Sequence, residues 1–390
     1  VSALRVLFIT RRYWPLVGAS PTAVGTLAAG VCQAGQTAVV LTPRWRAEWP
    51  SAMLHRGVQV VRWNLSAPRA CGTWYLAPLV RWLRSHLRQF DVVCVSELKH
   101  EAQAAIAAAA PCGVPVVLRC EHAGLSGDCQ WQLEARGGRR IKQQCMRAAA
   151  LVATSRMVET ELIAAGYPRD RIHRCENGVD VPPPRDERLR LRSRQHLAQA
   201  DHRLHLPPTA PLVLFCGELN AAKGLPRLLE IWPRVLQHRP DARLWIVGTG
   251  PMHDELALAI RRLRLETHVL LPGTFDDPSE LYRAADAFVY PVEEASTSFA
   301  LLEALAHGLP VAASDVPGNR HVLADGRFGR LFAPLDAQAL LEAVLALLQP
   351  AALPAPDAVR AHVERSFHRR TMQRWHLDLF SRLQCQTAAP

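Results

Sequence analysis

No run of about eighteen apolar residues occurs in the chain, which excludes a membrane-spanning helix. The sequence enters a strand-like run at once, Arg5 to Thr10, followed by Arg11 and Arg12, so no signal peptide is expected. Ten cysteines are present without a C-x-x-C pair. Cys94, Cys120, Cys175 and Cys216 fall in or beside apolar strand-like runs, and they read as reduced packing residues of a cytoplasmic protein rather than a disulfide frame or zinc site. Lysine is scarce, at three of 46 basic residues. The aromatic residues make no base-stacking pattern, which argues against nucleic acid as a partner. No internal repeat or low-complexity tract is evident.

What is present suits two domains: 390 residues, 49% of them hydrophobic, suffice for two cores. The net charge of +11 is unevenly placed. Residues 1–185 carry 23 basic against 12 acidic side chains, and the remainder carries equal numbers. This asymmetry implies that the first half faces something anionic, such as a membrane surface or a phosphorylated acceptor. The alternative is an arginine-rich composition with no such partner.

Strand-like and helix-like segments alternate through the first half. The pattern predicts strands at Arg5–Thr10, Ala38–Thr42, Val58–Trp63, Asp91–Ser96, Pro115–Arg119, Ala150–Thr154 and Arg171–Cys175. Helices are predicted at Pro21–Gly35, Trp74–Phe90, Glu101–Ala110, Gln130–Ala149 and Arg156–Ala165. A Pro-rich, charge-dense passage from Val181 to Pro211 reads as a linker with one solvated helix. A second alternating unit follows, with strands at Leu212–Cys216, Leu244–Val247, His268–Leu271, Ala287–Tyr290 and Pro310–Ala313. The chain ends in an amphipathic helix, Phe367–Leu383. Such alternation predicts parallel sheets with helices on both faces and ligands beyond the C-terminal strand ends.

The stretch Tyr290–Ser314 carries the strongest chemical signal. A Ser/Thr turn with Ser296, Thr297 and Ser298 as capping residues precedes a short apolar helix, Phe299–His307, in which Glu303 is the anomaly. The free N–H groups of Phe299, Ala300 and Leu301 make an anion site, and a carboxylate one turn further in suits ribose hydroxyls. The competing reading is a capped core helix whose Glu303 pairs with a neighbouring Arg. Upstream, GELNAAKG places Lys223 and Gly224 at a turn before a helix, where the ammonium is suited to a diphosphate. Gly18 lies in a small-residue loop ahead of a helix expected to start at Pro21 with Ser20 as its cap. VGTGPMHDE, from Val247, lacks the third glycine of a dinucleotide fingerprint, and Gly248 and Gly250 read as letting a loop pass close to a ligand. LPGTFDD supplies a Gly-containing turn suited to holding a base edge.

Taken in order, QAGQTAVVLT, LVATSRMVETELIAAGYPRDRIHRCENGVD, GELNAAKG, IVGTGP, LYRAADAFVYP and TSFALLEALAHGLPVAAS resemble the retaining glycosyltransferases of family 4 over nearly the whole chain. The resemblance implies an α/β fold of GT-B architecture, with two Rossmann-like α/β/α domains facing across a cleft. Residues 1–184 would form the acceptor-binding domain, 185–210 a linker, 211–365 the nucleotide-sugar domain, and 366–390 a helix returning to the first domain. It also implies a hexosyl transfer from a nucleotide-diphosphate sugar to a glycan, lipid-linked or small-molecule acceptor hydroxyl with retention, without a metal or other cofactor. Lys223, His122 and Glu294 are implied as catalytic. Gly18, Gly217, Lys223, Gly248, Thr274, Ser298, Phe299, Ala300, Leu301 and Glu303 are implied as donor-binding.

Three positions depart from the pattern. The family's first glutamate falls on Ala295, with Glu294 one residue earlier. Its phosphate-turn arginine is here Glu218, a like charge costing about 1 to 4 kcal/mol beside a diphosphate. Where a histidine often ends the fifth strand, Glu121 stands with His122 beside it. These departures motivate a competing expectation, a degenerate member that binds nucleotide or partner proteins without catalysis. Arg81, Arg84 and Arg88 are placed either to contact an anionic membrane peripherally at its inner face or to project as a solvated face.

Overall fold

A computed structural model describes residues 3–16, 18–65, 76–125, 127–293, 298–349 and 354–388. It divides into two compact units, Val1–Asn177 with Arg369–Pro390, and Gly178–His368.

The first unit is built on an eight-stranded sheet. Its strands are β1 (Arg5–Ile9), β2 (Thr37–Arg44), β3 (Ala52–His55), β4 (Val58–Asn64), β5 (Val92–Ser96), β6 (Val116–Cys120), β7 (Ala150–Ala153) and β8 (Ile172–Arg174), in the order 3-4-2-1-5-6-7-8. All pairs are parallel except the edge pair β3–β4. Branched apolar residues dominate the central strands because helices cover both faces. Within β1 the side chains divide with period two: Leu7 and Ile9 join one core, and Val6 and Phe8 the other.

That second core is closed by the helix Arg369–Ala388, from which Met372, Leu379 and Phe380 are buried with Phe8 and Leu27. Phe380 meets Phe8 edge-on with ring centroids 6.0 Å apart. Gln373 Nε2 donates to the Thr26 carbonyl at 2.8 Å and ties the last helix to Ala19–Gln33.

The second unit has six parallel strands, β9 (Leu212–Cys216), β10 (Arg243–Val247), β11 (Val269–Gly273), β12 (Ala287–Tyr290), β13 (Val311–Ser314) and β14 (Arg330–Phe332), ordered 11-10-9-12-13-14. Strand order reverses between β9 and β12 here and between β1 and β5 in the first unit. Loops diverge at those two points and open crevices at the strands' C-terminal ends. Among the described residues no helix is long and apolar enough to cross a membrane.

Several expectations are corrected. The expected linker holds the helix Glu187–Ala200, which belongs to the second unit and is not solvated all round: Ser193 and Arg194 are buried. Arg194 donates to Asp286 at 2.7 Å and to the Ala284 carbonyl at 3.0 Å. Its charge density serves a partly buried ion-pair cluster on Asp286 rather than a flexible tether. The first unit accordingly ends at Asn177 rather than at residue 184. The expected helix Gln130–Ala149 is two helices, Asp128–Glu134 and Gly138–Cys145, broken at a glycine pair of low helix propensity.

The last helix supplies a stability prediction. Phe380→Ala removes a fully buried ring and is expected to lower unfolding free energy by about 3–5 kcal/mol, measured by urea denaturation.

Candidate functional site

The crevice of the second unit is made by the loops after β9 and β12. After β9 the chain forms a 3-10 turn, Ala221–Lys223, and Gly224 starts the helix Leu225–His238 at φ 64°, which favours glycine. A Cβ on Gly224 would lie 2.1 Å from the Pro291 carbonyl oxygen, so only glycine lets the two loops touch. The Glu293 N–H donates to the Ala222 carbonyl at 2.8 Å, and Arg227 pairs with Glu293 at 2.9 Å. Lys223 is carried on this joined platform, its Nζ 5.8 Å from the centre of the Tyr290 ring.

The helix Phe299–Ala306 enters the same crevice. Ser298 occupies its N-cap position with extended backbone, yet its side chain makes no capping bond. The capping expected of Ser298 is therefore not made. Ser296 and Thr297, the other expected caps, lie outside the described residues, as do Glu294 and Ala295.

One turn into the helix, Glu303 finds a partner that was not expected. The Tyr282 hydroxyl, on the buried face of the helix Ser279–Ala284, donates to Glu303 Oε2 at 2.9 Å. The same hydroxyl contacts the Cys216 thiol at the end of β9. Among the described residues no arginine is bonded to this carboxylate. Burial pushes the Glu303 carboxyl up to about 7, the Tyr282 bond opposes that shift, and Asp277 reinforces it. His307 closes the helix, stacked 5.1 Å from the Tyr282 ring, its Nδ1–H donating to the Glu303 carbonyl at 2.8 Å. Burial holds it down at about 4, so it is neutral at physiological pH.

A Cβ on Gly248 would sit 1.8 Å from the Gly217 carbonyl oxygen, so the backbone of the neighbouring loop requires glycine there. Gly217 N–H donates to Val247 and Gly248 N–H to Gly273, so the loops after β9, β10 and β11 are laced together, with Thr274 exposed at their end. Glu218 is exposed and accepts from Asn220 Nδ2 at 3.2 Å. Exposure places its repulsion of a diphosphate at the weak end of the expected range, about 1 kcal/mol.

In the first unit Gly18 is the N-cap of Ala19–Gln33, so the helix starts two residues before Pro21. Ser20 does not cap it; its hydroxyl donates to Glu97 at 3.2 Å. Glu121 is buried in an ion pair with the equally buried Arg119, whose other nitrogen reaches Asn177. His122 beside it is partly exposed. Among the described residues no three His, Cys, Asp or Glu side chains converge as a metal site. Tyr282, Arg227 with Glu293, and Glu97 are the site residues that sequence reasoning missed. LYRAAD was noticed for its pattern, and nothing in it indicated where the tyrosine hydroxyl would go.

Comparisons agree with this fold. The chain matches solved structures with two domains of this kind along nearly its full length. These include sucrose-phosphate synthase of Thermosynechococcus elongatus (18% identity, TM-score 0.79, covering 98% of this chain and 100% of that one) and Anabaena HepE in complex with UDP and glucose (19%, TM-score 0.77, 97% and 99%). The fold is GT-B. Residues 21–182 match the model of Glycosyltransferase Family 4, and residues 210–350 that of Glycosyl transferases group 1. The chain belongs to glycosyltransferase family 4.

Among curated relatives, a phosphatidyl-myo-inositol mannosyltransferase of Mycobacterium leprae is 36% identical over 39% of this chain and 41% of its own length. The sulfoquinovosyl transferase SQD2 of Arabidopsis thaliana is 30% identical over 49% and 36%. The match thus spans about four tenths of these two relatives. A GDP-mannose-dependent alpha-mannosyltransferase of Mycolicibacterium smegmatis is 28% identical over 84% of both chains.

The raised Glu303 carboxyl has a stability consequence. The native state holds this proton above the ordinary carboxyl range, near 4.5, so the fold loses stability as pH rises from there through about 7. Glu303→Gln is expected to raise unfolding free energy by roughly 3 kcal/mol at pH 8 and by almost nothing at pH 4. Chemical denaturation at the two pH values measures it; an equal effect at both contradicts the assignment.

Proposed function

We propose that this protein transfers a hexosyl group from a nucleotide-diphosphate sugar bound by the second unit to an acceptor hydroxyl, with retention of configuration and without a metal. The observation that carries this reading is the placement of Glu303, one turn inside the helix that follows β12, whose preceding loop is bonded to the loop that holds Lys223. Tyr282 occupies one carboxylate oxygen and leaves the other for a ribose diol. Helix N–H groups and Lys223 suit the diphosphate, since both place positive charge where the leaving group gathers negative charge. An acceptor hydroxyl then attacks the face that the diphosphate leaves and passes its proton to the departing oxygens, so bond formation and cleavage share one face. No protein nucleophile is required. His122, the partly exposed residue of its pair, is the group of the first unit suited to a sugar hydroxyl.

A family relative supports a nucleotide-sugar donor, since it is named for its dependence on GDP-mannose. A non-catalytic nucleotide-binding role is the competing reading, motivated by Glu218 and by Ala295. Glu218 weakens it, because an exposed carboxylate leaves room for a diphosphate.

Calorimetric titration with UDP, GDP and their common sugars tests the reading. Saturable binding to one base series is expected, reduced tenfold or more in Glu303→Ala; absence of binding to every nucleotide rejects it. Because the ribose diol donates to an ionised carboxylate, affinity is expected to rise about tenfold from pH 6 to pH 8, with the Glu303→Gln variant flat across that range. Lys223→Ala is expected to slow turnover by about a hundredfold with bound sugar donor. An unchanged rate removes Lys223 from the reaction.

A further inference from the structure

The first unit has its own strand-order reversal, between β1 and β5, with chemistry unlike that of the second. The loop Glu97–Lys99 leaves β5 there, and Glu97 adopts φ 71°, a left-handed conformation that strains a non-glycine residue. The loop is clamped from beneath. Asp128, 2% exposed, accepts from the N–H groups of Leu98 and Glu121, each at 3.1 Å. Buried Gln132 donates to the Leu98 carbonyl at 2.8 Å and accepts from the Tyr167 hydroxyl at 2.8 Å. On the open side, Glu97 takes the Ser20 hydroxyl on Oε1 at 3.2 Å and Lys99 Nζ on Oε2 at 2.7 Å, and both charged side chains are about one-fifth exposed. Lys99 Nζ lies 5.8 Å from the centre of the Trp131 ring.

We propose that Glu97 and Lys99 form a binding site for the vicinal hydroxyls of a neutral polyol, the acceptor of the transfer; this rests on the function proposed above. A carboxylate has about four lone-pair sites and an ammonium three protons. Ser20 and Lys99 use two of the former, and Glu97 one of the latter. The remaining acceptor and donor positions stand side by side, so one hydroxyl of a diol donates to Glu97 while its neighbour accepts from Lys99. A phosphate ester fits less well, because the Lys99 charge is already matched by Glu97 and a second carboxylate, Asp128, faces it. The other charged and titratable groups within range are Arg11, whose guanidinium lies 5.7 Å from the Trp45 ring centre, His100 and His122. The strained but clamped loop is a pre-organised one: its geometry is set before a ligand arrives, which lowers the ordering cost of binding.

The test is saturation-transfer NMR on the full chain without nucleotide. The probes are myo-inositol, D-glucose and D-mannose, together with inositol 1-phosphate and glucose 1-phosphate. Glu97→Gln and Lys99→Met are run in parallel, with thermal midpoints compared to the parent to verify folding. At least one neutral polyol is expected to bind, with affinity reduced tenfold or more by each substitution. Binding to no neutral polyol, indifference to both substitutions, or tighter binding of the phosphate esters overturns the proposal. If Lys99→Met fails to fold, Lys99→Arg replaces it, with a several-fold loss expected and an unchanged affinity again overturning it. Nucleotide is absent, so this result is separable from the calorimetry: failure there removes the donor reading, and failure here removes only the polyol site.

Discussion

The site of the second unit depends on one hydrogen bond, from the Tyr282 hydroxyl to Glu303 Oε2. A carboxylate placed in an apolar helix among Leu301, Leu302, Ala304 and Leu305 has either to find a donor or to stay protonated. One neutral donor does part of each. It fixes the rotamer of the side chain and leaves the carboxyl titrating at about 7. An arginine in the same place would have fully ionised the carboxylate and occupied both oxygens. Tyrosine leaves one oxygen unused and the group poised, at a cost in stability that the buried strands around it offset. The surroundings serve this arrangement. The Tyr282 ring is held between the His307 and Phe288 rings, and the helix bearing Glu303 is tied back through the His307 Nδ1–H.

Much of this was legible in the sequence. Alternating apolar runs forecast two parallel sheets, because a strand buried on both faces has no freedom to be polar. Glu303 stood out because a charge within an uninterrupted apolar helix needs a physical reason. Lys223 stood out because lysine is rare in this chain. The partners were not legible. Tyr282 precedes Glu303 by twenty-one positions, and only the packing of one helix on another brings its hydroxyl to the carboxylate. Gly248 was read as letting a loop pass close to a ligand, and the neighbour that its missing side chain admits is the Gly217 carbonyl. A sequence reveals that a position must be small without revealing what approaches it. The stretch from Val181 misled for a related reason: arginines spaced along a polar segment look solvated until Asp286 is seen to take two of them.

The basic excess of the first half looks different once side-chain partners are known. Arg119 is buried against Glu121, Arg174 pairs with Glu159, and Lys99 pairs with Glu97. Each pair joins one basic and one acidic side chain, so the pairs localise charge without reducing the excess, and Arg174 with Glu159 lies at the surface. The exposed arginines at 81, 84 and 88 are a different population, because their helix buries Leu79 and Leu83 and carries its cations on the other side. Net charge by itself therefore says little about what the crevice of this unit binds.

The two crevices share a topology and differ in how charge is arranged at their mouths. In the second unit no carboxylate is bonded to Lys223 among the described residues, while Glu303 stands apart with a neutral partner. Separated charges of this kind suit a ligand that is itself divided into an anionic diphosphate and a neutral diol. In the first unit opposite charges are in direct contact, and a carboxylate bonded to its own ammonium has little field left to attract an ion. What remains is a set of directional donor and acceptor positions, which discriminate by geometry rather than by charge.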